Sequence, residues 1–353
     1  WNYTKKLINW YLYWHSIIYS SKAHSLYKPG IYWQESTKRS VREIRLKGLS
    51  EFRSSSSNIG TSYADNFIID RRISLKYASF YKRFIYSILY KFPRFSFMQD
   101  SQVLLTKKFL ESYKDMRSMY ANANPIIINL LSKFSIDFNT LRFGCDDTVC
   151  IKGVTYSHIY LEMLSRIDFL SNFCDFSQAK SFVELGGGFG SFAHLILELF
   201  PNIQNYYLVD ISPNLYVANS YLKSFFGESV YDYMSIKSMS ELPFADDNSR
   251  RIYCLPPWQI KKIPKLSIDL FHNASSFVEM PKISVENYAS IIEKFLSKSG
   301  QILLQSYDNF NLDNTFHPDN LPSYFRRFKF KSLRNSQLFK PSVRDYYYIS
   351  EKI

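Results

Sequence analysis

The stretch SFVELGGGFGSF, Ser181 to Phe192, places an acid two positions ahead of three consecutive glycines and adds a fourth glycine after Phe189. The chain has only 11 glycines in 353 residues, so four within five positions mark a backbone requirement rather than a compositional habit. The short apolar run up to Leu185 reads as a strand, and SFAHLILELF after it reads as an amphipathic helix. Glycine is needed where φ turns positive or where a partner comes closer than a Cβ allows. The helix that follows offers free N–H groups and the positive end of its dipole at the same place. The turn is therefore built to receive a ligand.

Working outward from it, strand-like and helix-like segments alternate. After KSFVELGG and SFAHLILELF come NYYLVDIS, PNLYVANSYLKSFFG, LSIDLFHNA, SVENYASIIEKFLSKSG and QILLQSYD. Such alternation predicts a parallel sheet covered on both faces, an α/β Rossmann-like architecture. The end departs from it: FKFKSLRNSQLF and RDYYYISEKI are two strands with no helix between them, so the sheet should close in an antiparallel hairpin. Ahead of the alternation the pattern is helical. Leu75–Phe92 and Asp100–Met116 carry apolar stripes at four-residue spacing, and Arg53–Phe67 has the Ser/Asn/Gly composition of an exposed loop, a connector or a lid. Two domains are expected: a mainly helical one over 1–145 and a ligand-binding one over 146–353.

Charge follows the same division. Residues 1–145 hold 23 Lys/Arg against 9 Asp/Glu, a balance of +14, and the remainder holds 21 against 22, a balance of −1. A basic front part beside a neutral back part predicts an anionic partner met by the front: a phosphate-bearing substrate, an anionic membrane surface or nucleic acid. The 28 Tyr and 30 Phe read as biased composition rather than as a binding device. Cys145, Cys150, Cys174 and Cys254 are too scattered for a disulfide framework. CDDTVC (Cys145–Cys150) lacks a second ligand pair, so no metal is expected. A reducing, cytoplasmic setting follows, with the inner face of the membrane as a second location. No stretch reaches the roughly 18 to 20 apolar residues of a membrane span; the nearest, INWYLYWHSIIY (Ile8–Tyr19), reads as a core-facing helix, with peripheral membrane contact left open. The chain begins at Trp1, which leaves residues upstream of it open.

Two cofactors use a glycine turn of this kind. Gly188, Gly190 and Ala193 fit the dinucleotide fingerprint, with Asp210 twenty residues after Gly190 to hold a ribose hydroxyl, which is the reading for an NAD-binding oxidoreductase. S-adenosylmethionine has the same adenosine without the pyrophosphate. VELGGGFG resembles motif I of class I S-adenosylmethionine-dependent methyltransferases, and LVDIS resembles their second motif. DLFHNASSFVEM, a helix, Gly300 and QILLQSYD together resemble the later motifs of the sugar O-methyltransferase family found among bacterial genes for surface polysaccharides. The likeness runs from about Val154 to Ile353. It implies that Glu184, Gly186, Gly187, Gly188 and Gly190 cradle the methionine end of S-adenosylmethionine, that Asp210 and Ile211 meet the ribose, and that Asn273 closes the cofactor site.

Methyl transfer to a sugar hydroxyl also needs alignment, exclusion of water and a group to take the proton. His272, at the end of LSIDLFHNA, is the first candidate for that base. Glu279 is the alternative base or a clamp for sugar hydroxyls, while His317 and Asp308 are weaker candidates. His194, one turn into the helix after the glycines, reads as a packed residue. LPPW (Leu255–Trp258) is similar to the motif by which amino-methylating enzymes hold an exocyclic nitrogen. Its first residue, Leu255, cannot accept the amine's hydrogen bond, so a nucleic-acid methyltransferase is the lesser alternative, and the segment reads as the end of the third strand region, with Trp258 near the cofactor's adenine. The expected acceptor is a surface glycan or its activated precursor, anionic through a nucleotide, phosphate or lipid link, bound by the basic front domain.

Overall fold

The computed structural model describes residues 10–30, 33–34, 37–38, 40–41, 44, 49, 125–134, 148–151, 154–245, 249–307, 318–338 and 344–351. The expected helices over 75–92 and 100–116 and the loop over 53–67 lie outside them, as do Cys145, Asp308 and His317. In chain order the first elements are helix α1 (Trp10–Lys22), the hairpin of β1 (Thr148–Ile151) and β2 (Val154–Ser157), and helix α2 (His158–Leu170). Then follow β3 (Ser181–Leu185), α3 (Ser191–Leu199), β4 (Asn205–Val209), α4 (Asn214–Phe226), β5 (Val230–Tyr231) and β6 (Arg251–Leu255). The chain continues through β7 (Ile268–Ala274), α5 (Lys282–Phe295), β8 (Leu296–Ser306), β9 (Phe330–Ser336) and β10 (Arg344–Ser350).

Eight strands form one sheet in the order β5-β6-β4-β3-β7-β8-β10-β9. All neighbours from β5 to β8 are parallel, and β10 is antiparallel to both β8 and β9. This is the Rossmann-like sheet with an antiparallel end that the sequence pattern predicts. It adds two features the pattern did not signal: the short edge strand β5, and the insertion of β10 between β8 and β9. The helix read through SVENYASIIEKFLSKSG stops at Phe295, because Leu296–Gly300 already belong to β8.

The sheet is buried on both sides, and neighbouring residues of one strand serve opposite cores. Phe182 stacks on Tyr206 at 5.2 Å within the layer that contains α2 and α3. Val183 faces the other layer, where Tyr207 stacks on Tyr253 at 5.2 Å. Many of the aromatic residues therefore have structural work: Tyr160, Tyr206, Tyr207, Tyr221, Phe182, Phe192 and Phe271 are among the largest fully buried side chains. Each such side chain contributes on the order of 2 kcal/mol through area removed from water. The bulk of the sheet interior needs no ligand to hold it.

α1 packs one face on α4, with the Tyr13 and Tyr216 rings 5.2 Å apart and the Tyr233 hydroxyl donating to the Leu12 carbonyl at 3.2 Å. Tyr11, Trp14, Ile18 and Tyr19 on its other face are exposed. Among the described residues no helix is long and apolar enough to cross a membrane.

Candidate functional site

The carboxyl ends of β4, β3, β7 and β8 and the start of β10 lie along one edge of the sheet, and a cavity of about 510 Å³ opens there. Because the first parallel strands end in tight turns, the residues just past each strand become its wall. From β3 the wall receives Glu184 and the turn Gly186–Gly188; from β4, Asp210 and Ile211; from β7, Ser275, Ser276 and Glu279. A segment of the front part, Leu26–Gly30 with Trp33, supplies the facing wall.

The turn takes φ +82° at Gly186, +59° at Gly188 and +92° at Gly190, the left-handed region that side chains rarely adopt. At Gly186 a second constraint applies, because a Cβ there would collide with the Ser276 side chain. A Cβ on Gly187 would come within 2.8 Å of Leu208 and 3.0 Å of the Glu184 carboxylate. Gly186 and Gly187 are thus required by the protein's own packing, a reason that the sequence alone does not display.

Asp210 is held in the cavity wall by two backbone donors, the Gly188 N–H and the Ile211 N–H, each at 2.7 Å. Burial pushes its carboxyl up to about 7, against the pull of those hydrogen bonds. The Asn214 side chain bonds to it as well, so of the carboxylate's about four lone-pair positions two are open to hydroxyl donors only when Asn214 yields its place. Glu184 accepts from the Tyr206 hydroxyl at 2.7 Å, and burial raises it to about 7 as well, opposed by that bond and by the charge of Arg166. Two buried acids in one cavity wall, each costly to ionise alone, are more readily ionised beside a cation.

Glu279 faces the same cavity, bracketed from outside its own loop. The Trp33 indole N–H donates to one oxygen at 2.6 Å and the Tyr307 hydroxyl to the other at 3.0 Å. Burial raises this carboxyl to about 7. The chain at Gly30 passes so close to Glu279 that a Cβ there would lie 2.9 Å from the Glu279 carbonyl oxygen. Neither Trp33 nor Tyr307 was legible as a site residue, since a lone aromatic carries no spacing signal.

Other predicted residues lie elsewhere. His272 is fully buried in β7, stacked on Phe192 at 4.3 Å, and is absent from the cavity wall. Its Nδ1 lies 4.0 Å from a Glu184 oxygen and neither ring nitrogen makes a hydrogen bond within the protein. Burial, with Arg166 nearby, holds it neutral, well below the usual histidine range. A base must reach its proton, and this ring, packed on Phe192, is not among the residues that line the cavity. The expectation of His272 as base therefore gives way to a packing position beside Glu184. Asn273 is engaged by protein: its Nδ2 donates to the Leu185 carbonyl at 2.8 Å and to Ser276 Oγ, and its Oδ1 accepts the Phe277 N–H at 3.2 Å. It shapes the β7 turn and is not in the wall. His194 packs against Tyr221, its Nδ1 2.6 Å from that hydroxyl, as its helical position suggested. In LPPW, Leu255 ends β6 and Pro257, not Trp258, faces the cavity. Among the described residues no group of His, Cys, Asp or Glu could hold a metal ion.

Among solved structures the chain is similar to a SAM-dependent methyltransferase from Archaeoglobus fulgidus, at 14% identity over 56% of this chain and 95% of that one, with a TM-score of 0.37. It is also similar to one from Aquifex aeolicus, at 10% identity over 55% and 93%, with a TM-score of 0.34. A third is the 1,6-didemethyltoxoflavin-N1-methyltransferase of Burkholderia thailandensis, solved with 1,6-didemethyltoxoflavin and S-adenosylhomocysteine, at 13% identity over 69% and 89%, with a TM-score of 0.36. No protein-family model matches the chain, and no curated protein matches it. The fold rests on the strand order, and the chemistry on the wall residues.

Proposed function

We propose that the protein is an S-adenosylmethionine-dependent O-methyltransferase whose acceptor is a sugar hydroxyl of a glycan or of its activated precursor. The observation that carries this reading is Asp210, a buried acid at the end of β4, tied to the glycine turn after β3 and facing the cavity they share. The donor set fits the cofactor: lone pairs on Asp210 suit ribose hydroxyls, and Glu184 beside the turn suits the ammonium of the methionine end. When bound, S-adenosylmethionine supplies a methyl group carried on a positively charged sulfur.

The chain's own residues do the rest. The turn Gly186–Gly188 brings backbone rather than side chain to the cofactor face, Gly190 lying outside the wall, and Leu26–Gly30 with Trp33 shield the facing side from water. Glu279, fixed by Trp33 and Tyr307, takes the proton of the acceptor hydroxyl; a carboxyl raised towards 7 by burial is a stronger base than a solvated one. Trp33 and Tyr307 are positioning residues in this scheme.

A thermal-shift comparison of S-adenosylhomocysteine with NAD tests the cofactor, because a ligand that binds only the native state raises its melting temperature. Stabilisation by the former and not the latter is expected; the reverse would make the protein a dehydrogenase-like binder. S-adenosylmethionine turnover on isolated surface glycans, set against turnover on oligonucleotides, then tests the acceptor class.

A further inference from the structure

The cavity has a second end that the glycine turn does not explain. The sheet order sets β4 with Asp210 on one side of β3, and β7, β8 and β10 on the other. Beyond Ser275 the wall becomes a polar cluster: Gln305 at the end of β8, Asp345 at the start of β10, Gln337 after β9, and Arg166 reaching in from α2. Ser275, Gln305, Asp345 and Arg166 are all buried. Sequence reading flagged none of the five residues, which lie far apart in the chain.

Their bonding is specific. Gln337 Nε2 donates to Asp345 Oδ1 at 2.9 Å, the Gln305 side chain also bonds to Asp345, and the Ser275 hydroxyl donates to Gln305 Oε1 at 3.2 Å. Ser275 sits at φ +64°, a left-handed conformation that costs a serine strain and that persists only where surroundings enforce it. Two amide donors leave lone pairs on the Asp345 carboxylate, and Gln305 Oε1 has one to spare. The cluster thus offers acceptors on Asp345 and Gln305 beside donors on Arg166 and the two amides, a mixture that complements hydroxyl groups, which both donate and accept. It does not complement an anion: Arg166 already interacts with Glu184 and Asp345, and the charged residues of the whole wall are Glu184, Asp210, Glu279 and Asp345 against Lys28 and Arg166.

We infer that this end binds an uncharged, hydroxyl-bearing part of the acceptor through Asp345, Gln305 and Gln337, and that any phosphate or carboxylate of the acceptor lies outside the cavity. The inference rests on the reading that the Asp210 end takes the nucleoside. It refines the expectation of an anionic acceptor: among the described residues of the front part, Lys28 is the one cation in the wall.

The test is saturation-transfer NMR on the full chain, with and without saturating S-adenosylhomocysteine. The probes are the methyl glycosides of glucose, mannose, galactose and rhamnose, set against glucose 1-phosphate and glucuronic acid. At least one neutral glycoside should contact the protein, and Asp345→Asn should weaken that contact at least about tenfold while leaving S-adenosylhomocysteine affinity within about twofold. Gln337 is only half-buried, so Gln337→Leu gives a second reading if the Asp345 variant does not fold, with a loss of about three- to tenfold. The inference is overturned if only the phosphate or uronate binds, if no glycoside binds, or if contact is equal in both variants and the wild type. Failure of S-adenosylhomocysteine to bind the wild type would instead remove the proposed function, and the cofactor-free arm shows that separately.

Discussion

The two ends of the cavity are built on opposite plans. The Asp210 end is local: strand, turn and next strand lie within Ser181–Asp210, and its parts are fixed by backbone geometry at Gly186, Gly188 and Gly190. The Asp345 end is assembled from α2, β7, β8, β9 and β10, and its parts are fixed by side-chain hydrogen bonds. On the proposed function, the contrast separates cofactor from acceptor specificity: the cofactor would be served by one continuous motif, and the acceptor by residues that each arrive on a different element.

The sharpest way to break that contrast is Asp210→Ala. Losing charge-assisted acceptors should weaken S-adenosylhomocysteine binding roughly 100-fold in a calorimetric titration; an unchanged affinity would detach the cofactor from this end. Gly186→Ala comes next, because it meets both a positive φ and the Ser276 side chain. We expect a loss of roughly 3 kcal/mol in denaturant unfolding. Gly227→Ala, at φ +54° and ψ −127° with open space around it, meets the backbone strain alone and should cost about 2 kcal/mol.

A smaller effect concerns pH. Glu184, Asp210 and Glu279 are each raised by burial to about 7, so between the ordinary carboxyl range and about 7 the folded protein holds more protons than the unfolded chain. Their contribution to stability is therefore fully present below the unfolded pKa and falls as pH rises towards 7. A cationic ligand reverses the preference. The affinity ratio of S-adenosylmethionine to S-adenosylhomocysteine should grow roughly threefold from about pH 6 to about pH 8, and a flat ratio would show that the acids do not face the sulfonium. The smallest change is His272→Leu. A neutral ring packed behind Phe192 should cost roughly 1 kcal/mol or less and leave cofactor binding unaltered. Loss of binding would return His272 to the site.

The same contrast explains what the sequence disclosed. The alternation of strands and helices, the glycine turn and Asp210 are local patterns, so the sheet and the Asp210 end of the cavity were legible. The place of β10 between β8 and β9 depends on long-range pairing that no local period encodes. Glu279 was visible as an acid after a strand, but its partners Trp33 and Tyr307 come from distant segments. His272 misled because its strand-end position is right while its ring is buried against Phe192 and absent from the cavity wall. Asp345 was hidden within the apolar pattern of β10.

The most direct test of the central claim is a crystal structure of the protein soaked or grown with S-adenosylhomocysteine. Both ribose hydroxyls should lie within hydrogen-bond distance of the Asp210 carboxylate, with the amino-acid end against Glu184 and Gly186. A nucleoside bound away from Asp210, or a turn that stays closed on Ser276 and Leu208 with the ligand elsewhere, would contradict it.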